Sequence, residues 1–139
     1  MKKSTLINSE LSHLVAKLGH TDEITICDAG LPIPQSAQRI DLALTHGVPS
    51  FIDTVKVMLT ESQIEGVVMA EEFAEVSPEL HQALLSELET EQARTGKPIN
   101  IQYISHEQFK QKTNNSLAVV RTGECTPYAN VIFQAGVVF

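Results

Sequence analysis

His20 and Asp28 flank a run rich in β-branched residues, Glu23-Ile24-Thr25-Ile26-Cys27, and a glycine/proline loop, Ala29-Gly30-Leu31-Pro32-Ile33-Pro34, follows at once. A histidine before a strand and a carboxylate at its far end suit cofactor-free proton transfer on a small polar ligand. Histidine carries a proton in either direction near neutral pH. Ligands of open α/β sheets bind beyond the carboxyl ends of strands, which is where Asp28 would stand. Plainer roles fit the same residues. His20 follows Gly19 at a helix end, where it would serve the last carbonyls and the helix dipole. Asp28 would cap the turn that follows it. One short strand separates the two, so their approach depends on how the chain folds back.

His106 would stand in the first turn of a short helix, where the dipole favours a neutral ring able to donate or accept a hydrogen bond. A solvent-exposed helix-start histidine fits equally well. Further on, Tyr128-Ala129-Asn130 leads out of a loop into a strand. If that segment is extended, Tyr128 and Asn130 project from one face. The pair then offers a flat wall with a hydroxyl handle and an amide with both a donor and an acceptor, a set that reads sugar hydroxyls. A turn asparagine beside a core tyrosine is the alternative. His13, His46 and His81 have no such context and read as surface or structural.

The elements that must hold these residues follow from the pattern. Leu11, Leu14, Val15 and Leu18 recur at helical spacing, with Asn8 or Ser9 as the cap and Gly19 placed to end the helix. Residues 23–27 read as a strand, and 39–44 as a second one, with helix as the alternative. Residues 50–59 read as a helix with Phe51, Val55, Met58 and Leu59 on one side, and the apolar run 64–70 as a buried strand. Ser77-Pro78-Glu79 opens a helix with a cap, a proline at the first position and an acid in the first turn. Leu80, Leu84 and Leu88 carry that helix to about residue 94, and Gly96-Lys97-Pro98 breaks it. Residues 99–104 alternate as a strand. Ser105 and Gln108 have capping-box spacing. Residues 117–121 and 130–134 read as two more strands. Strands alternating with helices predict an α/β sheet covered on both faces. No linker or repeat divides the chain, so residues 1–139 read as one domain.

Composition narrows the function. The 139 residues suffice for one core, which must be aliphatic because there is no Trp and only 5% of residues are aromatic. A net charge of −7 argues against general nucleic-acid binding. Met1-Lys2-Lys3 could open a signal peptide, but Ser4, Thr5, Asn8, Ser9 and Glu10 interrupt the apolar run it would need. No apolar stretch approaches the ~20 residues of a membrane helix. Cys27 and Cys125 form no C-x-x-C pair; they fit a reduced, cytoplasmic setting and read as buried or spectator thiols. Glycine-rich phosphate loops, the H-E-x-x-H zinc pattern and the G-x-S-x-G elbow are all absent from the sequence. A metal site built in space from His20, Asp22, Asp28 and His106 is disfavoured.

Three blocks in order carry a resemblance. The first is Leu18-Gly19-His20-Thr21-Asp22-Glu23-Ile24 running into Cys27-Asp28-Ala29-Gly30-Leu31-Pro32-Ile33-Pro34. The second is Ser105-His106-Glu107-Gln108-Phe109-Lys110. The third is Arg121-Thr122-Gly123-Glu124-Cys125-Thr126-Pro127-Tyr128-Ala129-Asn130, followed by Ala135-Gly136-Val137. Together they resemble the ribose/fucose mutarotase family over essentially the whole chain. Residues 30–34 look like the ribose pyranase branch. The L-fucose branch shares the Gly-His…Asp-Ala start and the Tyr-x-Asn. The resemblance implies a single three-layer α/β/α domain with a mixed, mostly parallel sheet. It implies a cofactor-free isomerase that interconverts the β-pyranose and β-furanose forms of D-ribose through the open aldehyde, in ribose catabolism. His20 is carried over as the catalytic acid. Asp28, His106, Tyr128, Ala129 and Asn130 are carried over as substrate-binding. A homo-oligomer is implied too, typically a decamer of two stacked pentamers with sites at subunit boundaries. An L-fucose mutarotase, a non-catalytic ribose-binding accessory protein and an acidic interaction module are the rival readings.

Overall fold

The structure, a computed structural model, describes residues 1–139. The elements run α1 (Ser9–Lys17), β1 (Glu23–Cys27), β2 (Gln38–Asp41), α2 (Phe51–Glu61), β3 (Ile64–Ala70), α3 (Glu71–Val76), α4 (Pro78–Thr95), β4 (Asn100–Ile104), α5 (His106–Lys112), β5 (Ala118–Arg121) and β6 (Val131–Ala135). All six strands join one sheet in the order β2-β5-β1-β6-β3-β4. Five strands share one direction and β6 opposes them, lying antiparallel between β1 and β3. The sheet is therefore mixed and mostly parallel.

The strands bury both faces because successive side chains alternate. Ile24, Ile26, Val67, Met69, Ala118, Val120, Val131 and Phe133 face a core that takes in Leu11 and Leu14 of α1, Phe51, Val55 and Met58 of α2, Phe73 of α3, and Leu84 and Leu88 of α4. Cys27, Val68, Ala70, Val119 and Ile132 face the other way, against Phe109 of α5 and Leu31. Helices on both sides make three layers, α/β/α. Truncating a side chain such as Leu84, which is fully buried, to alanine costs about 2–5 kcal/mol at sites of this kind.

Local signals act largely as read. Asn8 caps α1 through the Leu11 N–H, and Ser50 caps α2 through the Asp53 N–H. Ser105 and Gln108 close a reciprocal capping box on α5. The second strand is a strand, but only over Gln38–Asp41.

Two local expectations are corrected, at Gly19 and at Ser77, and two features come only from the structure. The α1 helix ends at Leu18 in extended backbone, and the Gly19 N–H turns to the Asp22 carboxylate. A short helix, α3, fills the space before Pro78. Ser77 makes no side-chain cap, because its hydroxyl donates to the Pro127 carbonyl at 2.7 Å. The strand expected at 99–104 forms as β4, an edge strand with Ile101 and Tyr103 exposed.

Candidate active site

Asp28 follows the carboxyl end of β1. β6 runs against β1 with Val131 opposite Ile26, so the residue preceding Val131, Asn130, arrives beside Asp28. Asn130 is fully buried and binds Asp28 twice. Its Oδ1 accepts the Asp28 N–H at 2.9 Å, and its Nδ2 donates to Asp28 Oδ2 at 3.1 Å. Asp28 Oδ1 also accepts the Gly30 N–H at 2.9 Å, so the turn-capping role and the site role coexist. An ionised carboxylate has about four acceptor positions, which leaves capacity for ligand hydroxyls.

The loop after Asp28 is tied down on both sides. Ala29 donates its N–H to the Glu124 carbonyl at 2.8 Å. Arg121 Nε donates to the Ala29 carbonyl at 3.0 Å, while its Nη1 holds Asp41. Glu124 organises the facing loop, accepting the Phe51 N–H at the start of α2 and the Thr126 hydroxyl. Between the loops lies an open cleft of about 360 Å³ bordered by Asp28, Gly30, Glu124, Cys125, Thr126 and Pro127.

His106 stands at the start of α5, just past the carboxyl end of β4. β3 and β4 finish together, Ala70 opposite Ile104, which places Glu72 to accept the His106 N–H at 2.9 Å. The imidazole packs edge-on to Tyr128, centroids 4.9 Å apart at 84°, and parallel to Phe109 at 6.4 Å. His106 Nδ1 is buried without a hydrogen-bond partner. An unpaired buried polar atom is costly, and a ligand hydroxyl would relieve that cost.

The segment 128–130 is not extended. Tyr128 has φ +62°, and the Asn130 N–H donates back to the Tyr128 carbonyl at 2.7 Å. This tight turn sends Tyr128 toward His106 and Asn130 toward Asp28, not onto one strand face. Ala129 is fully buried, backbone included, with its methyl in the core and its N–H donated to the Thr126 carbonyl.

His20 lies elsewhere. It is exposed, and its Nε2 is 2.9 Å from Glu65 Oε2 at the start of β3. The full length of β1, roughly 16 Å for five residues, separates His20 from Asp28, and the chain does not fold back. A groove of about 470 Å³ beside His20 is lined in part by Val15, Leu18, Gln63, Gly136 and Phe139. One chain thus brings together Asp28, His106, Tyr128 and Asn130, and leaves His20 at the opposite end of the strands. No group of three or more His, Cys, Asp or Glu side chains is placed to hold a metal ion.

The thiols divide as well. Cys27 is buried and Cys125 exposed. Burial, and then the neighbouring charge of Asp28, pushes the Cys27 thiol up to about 12. Glu65 and Glu72 lie outside every sequence motif, and Glu124 lies within the third block without a role of its own. No local signal marks them, because each meets its partner only through strand order or loop packing.

Comparison with known proteins agrees with this architecture. The RbsD / FucU transport protein family matches residues 1–138. A D-ribose pyranase from Vibrio vulnificus is 75% identical over the full length of both chains. Bacillus subtilis RbsD, solved in complex with D-ribose, superposes with a TM-score of 0.91 at 45% identity, covering all of both chains. The fucose mutarotase of Streptococcus pneumoniae, solved with L-fucose, shares the fold at a TM-score of 0.81 and 22% identity, again over all of both chains. The chain belongs to the RbsD / FucU family.

Proposed function

We infer that this chain is an isomerase of the D-ribose pyranase type, interconverting the β-pyranose and β-furanose forms of D-ribose through the open aldehyde. The observation that carries the reading is the full-length 75% identity to a D-ribose pyranase. The site geometry supports it: buried Asn130 paired with half-buried Asp28 and an unpartnered His106 nitrogen stand at one end of the sheet.

Ring opening requires a proton on the ring oxygen and loss of the anomeric hydroxyl proton. Closure through a different hydroxyl gives the other ring size. Asp28 accepts from sugar hydroxyls, held in place by Asn130. His106 Nδ1 takes a further hydroxyl, Tyr128 supplies a wall, and buried Ala129 joins the two ligand-facing residues on either side of it. His20 donates the proton to the ring oxygen, and the anomeric hydroxyl gives its proton to solvent water. One positioned acid/base contributes about 10²–10⁴-fold, enough for a reaction whose spontaneous rate is already measurable. Nothing in this sequence of steps consumes a redox or group-transfer cofactor.

His20 stands a strand's length from Asp28, so a complete site takes His20 from one copy and the Asp28 end from another. That separation supports a homo-oligomer with sites at subunit boundaries, and we propose the decamer of two stacked pentamers that the family resemblance implies. No helix is long and apolar enough to cross a membrane. A cytoplasmic place, supplying furanose to ribose catabolism, is part of the same proposal.

The test is NMR saturation transfer between the pyranose and furanose anomeric protons of D-ribose, with and without protein. Protein-dependent exchange is expected. Exchange on L-fucose alone would move the chain to the sister activity. Binding without exchange on either sugar would make it a binding protein.

A further inference from the structure

The pairing of β3 with β6 slips at one residue. Ile64 pairs with Ala135 and Gly66 with Gln134, so Glu65 is left over as a bulge. Bulges re-aim a side chain out of the regular alternation. Here the re-aimed side chain is the carboxylate that meets His20, Oε2 to Nε2 at 2.9 Å. Gly136 keeps the space beside it open. A Cβ at Gly136 would lie 3.1 Å from Glu65 Cβ and 3.5 Å from Glu65 Oε2.

The backbone around His20 is fixed from the other side. Gly19 donates its N–H to Asp22 Oδ2 at 2.8 Å. The Thr21 N–H donates to the Ala135 carbonyl at 2.9 Å, and the Ala135 N–H to the Asp22 carbonyl at 2.8 Å. Thr21 itself adopts φ +71°, a left-handed conformation that a β-branched residue takes only when its surroundings impose it. A bulge on one strand and a clamped turn on the neighbouring segment thus converge on one imidazole.

We propose that Glu65 is the positioning residue of His20. Its carboxylate takes the Nε2–H, which orients the ring and leaves Nδ1 as the nitrogen that exchanges a proton with the sugar. The imidazolium Nδ1–H gives its proton to the ring oxygen as the ring opens, and the anomeric hydroxyl passes its proton to solvent water as it becomes the aldehyde oxygen. When another hydroxyl closes the new ring, its proton returns to Nδ1 and the aldehyde oxygen regains a proton from water, while the Nε2–H stays hydrogen-bonded to Glu65 throughout. This proposal rests on His20 being the acid.

The experiment compares native protein with Glu65→Ala, Glu65→Gln and His20→Ala. Native protein is expected to show a hydrogen-bonded, downfield His20 Nε2 proton in ¹⁵N-edited NMR. Glu65→Ala is expected to lose that signal and to lower kcat about fivefold with KM unchanged, the scale of a half-exposed charged pair. Glu65→Gln, whose carbonyl oxygen still accepts the Nε2–H, is expected to recover the signal and part of the rate. An unchanged signal and unchanged kcat in Glu65→Ala, with exchange lost in His20→Ala, would overturn the role of Glu65 alone. Full exchange in His20→Ala would overturn the acid assignment and this inference with it.

Discussion

Asn130 holds Asp28 by both ends of its amide, accepting the Asp28 N–H at 2.9 Å and donating to the Asp28 carboxylate at 3.1 Å. The two bonds fix which end of the amide is oxygen, and they lock the carboxylate that follows β1. Because Asn130 is fully buried, its loss acts on stability as well as on binding. Asn130→Ala should lower stability by about 1–3 kcal/mol, the cost of unpaired buried polar groups, and weaken D-ribose binding. Thermal melting and calorimetric titration check both. Unchanged affinity would remove Asn130 from the site.

His20 makes no contact with that pair, so chemistry and binding should separate. His20→Ala should reduce protein-dependent ring exchange by about 10²–10⁴-fold while D-ribose affinity stays close to native. The readouts are saturation transfer and titration on the same sample. An affinity loss as large as the rate loss would make His20 a binding group instead.

Two inactive variants should restore each other. His20→Ala and Asp28→Ala damage opposite ends of the sheet, so a shared site can form from the intact end of each. Unfolding and refolding the two together at equal amounts should return about one quarter of native activity, from random pairing in a symmetric assembly. Activity that stays at the level of the separate variants would mean that each site is built within one chain.

The cysteines should differ sharply toward an alkylating reagent. Reaction needs the thiolate, and burial, reinforced by Asp28, pushes the Cys27 thiol up to about 12. Cys125 is exposed. Native protein at pH 8 should therefore take up one iodoacetamide per chain, at Cys125, and a second only after denaturation. Peptide mass mapping reads the sites. Rapid labelling of Cys27 in the native state would contradict its burial.

Local chemistry was enough to read much of this chain. Ile24-Thr25-Ile26 and Val67-Val68-Met69 had to become strands, Ser105 with Gln108 had to start a helix, and alternation of these elements implied a covered α/β sheet. Those signals act over a few residues, through hydrogen bonds and side-chain spacing that the sequence displays directly. Asp28 and His106 could be placed at strand ends for the same reason. The turn at Tyr128 was not legible, because no glycine announces its positive φ and the contacts that impose it come from distant segments. The short α3 helix and the loss of the Ser77 cap depend likewise on what packs nearby, here the Pro127 carbonyl. Strand order decided the rest. By running antiparallel between β1 and β3, β6 delivers Asn130 to Asp28 and carries Ala135 to the loop of His20. The same arrangement keeps His20 and Asp28 a full strand apart, a separation set by sheet geometry that spacing in the sequence does not encode.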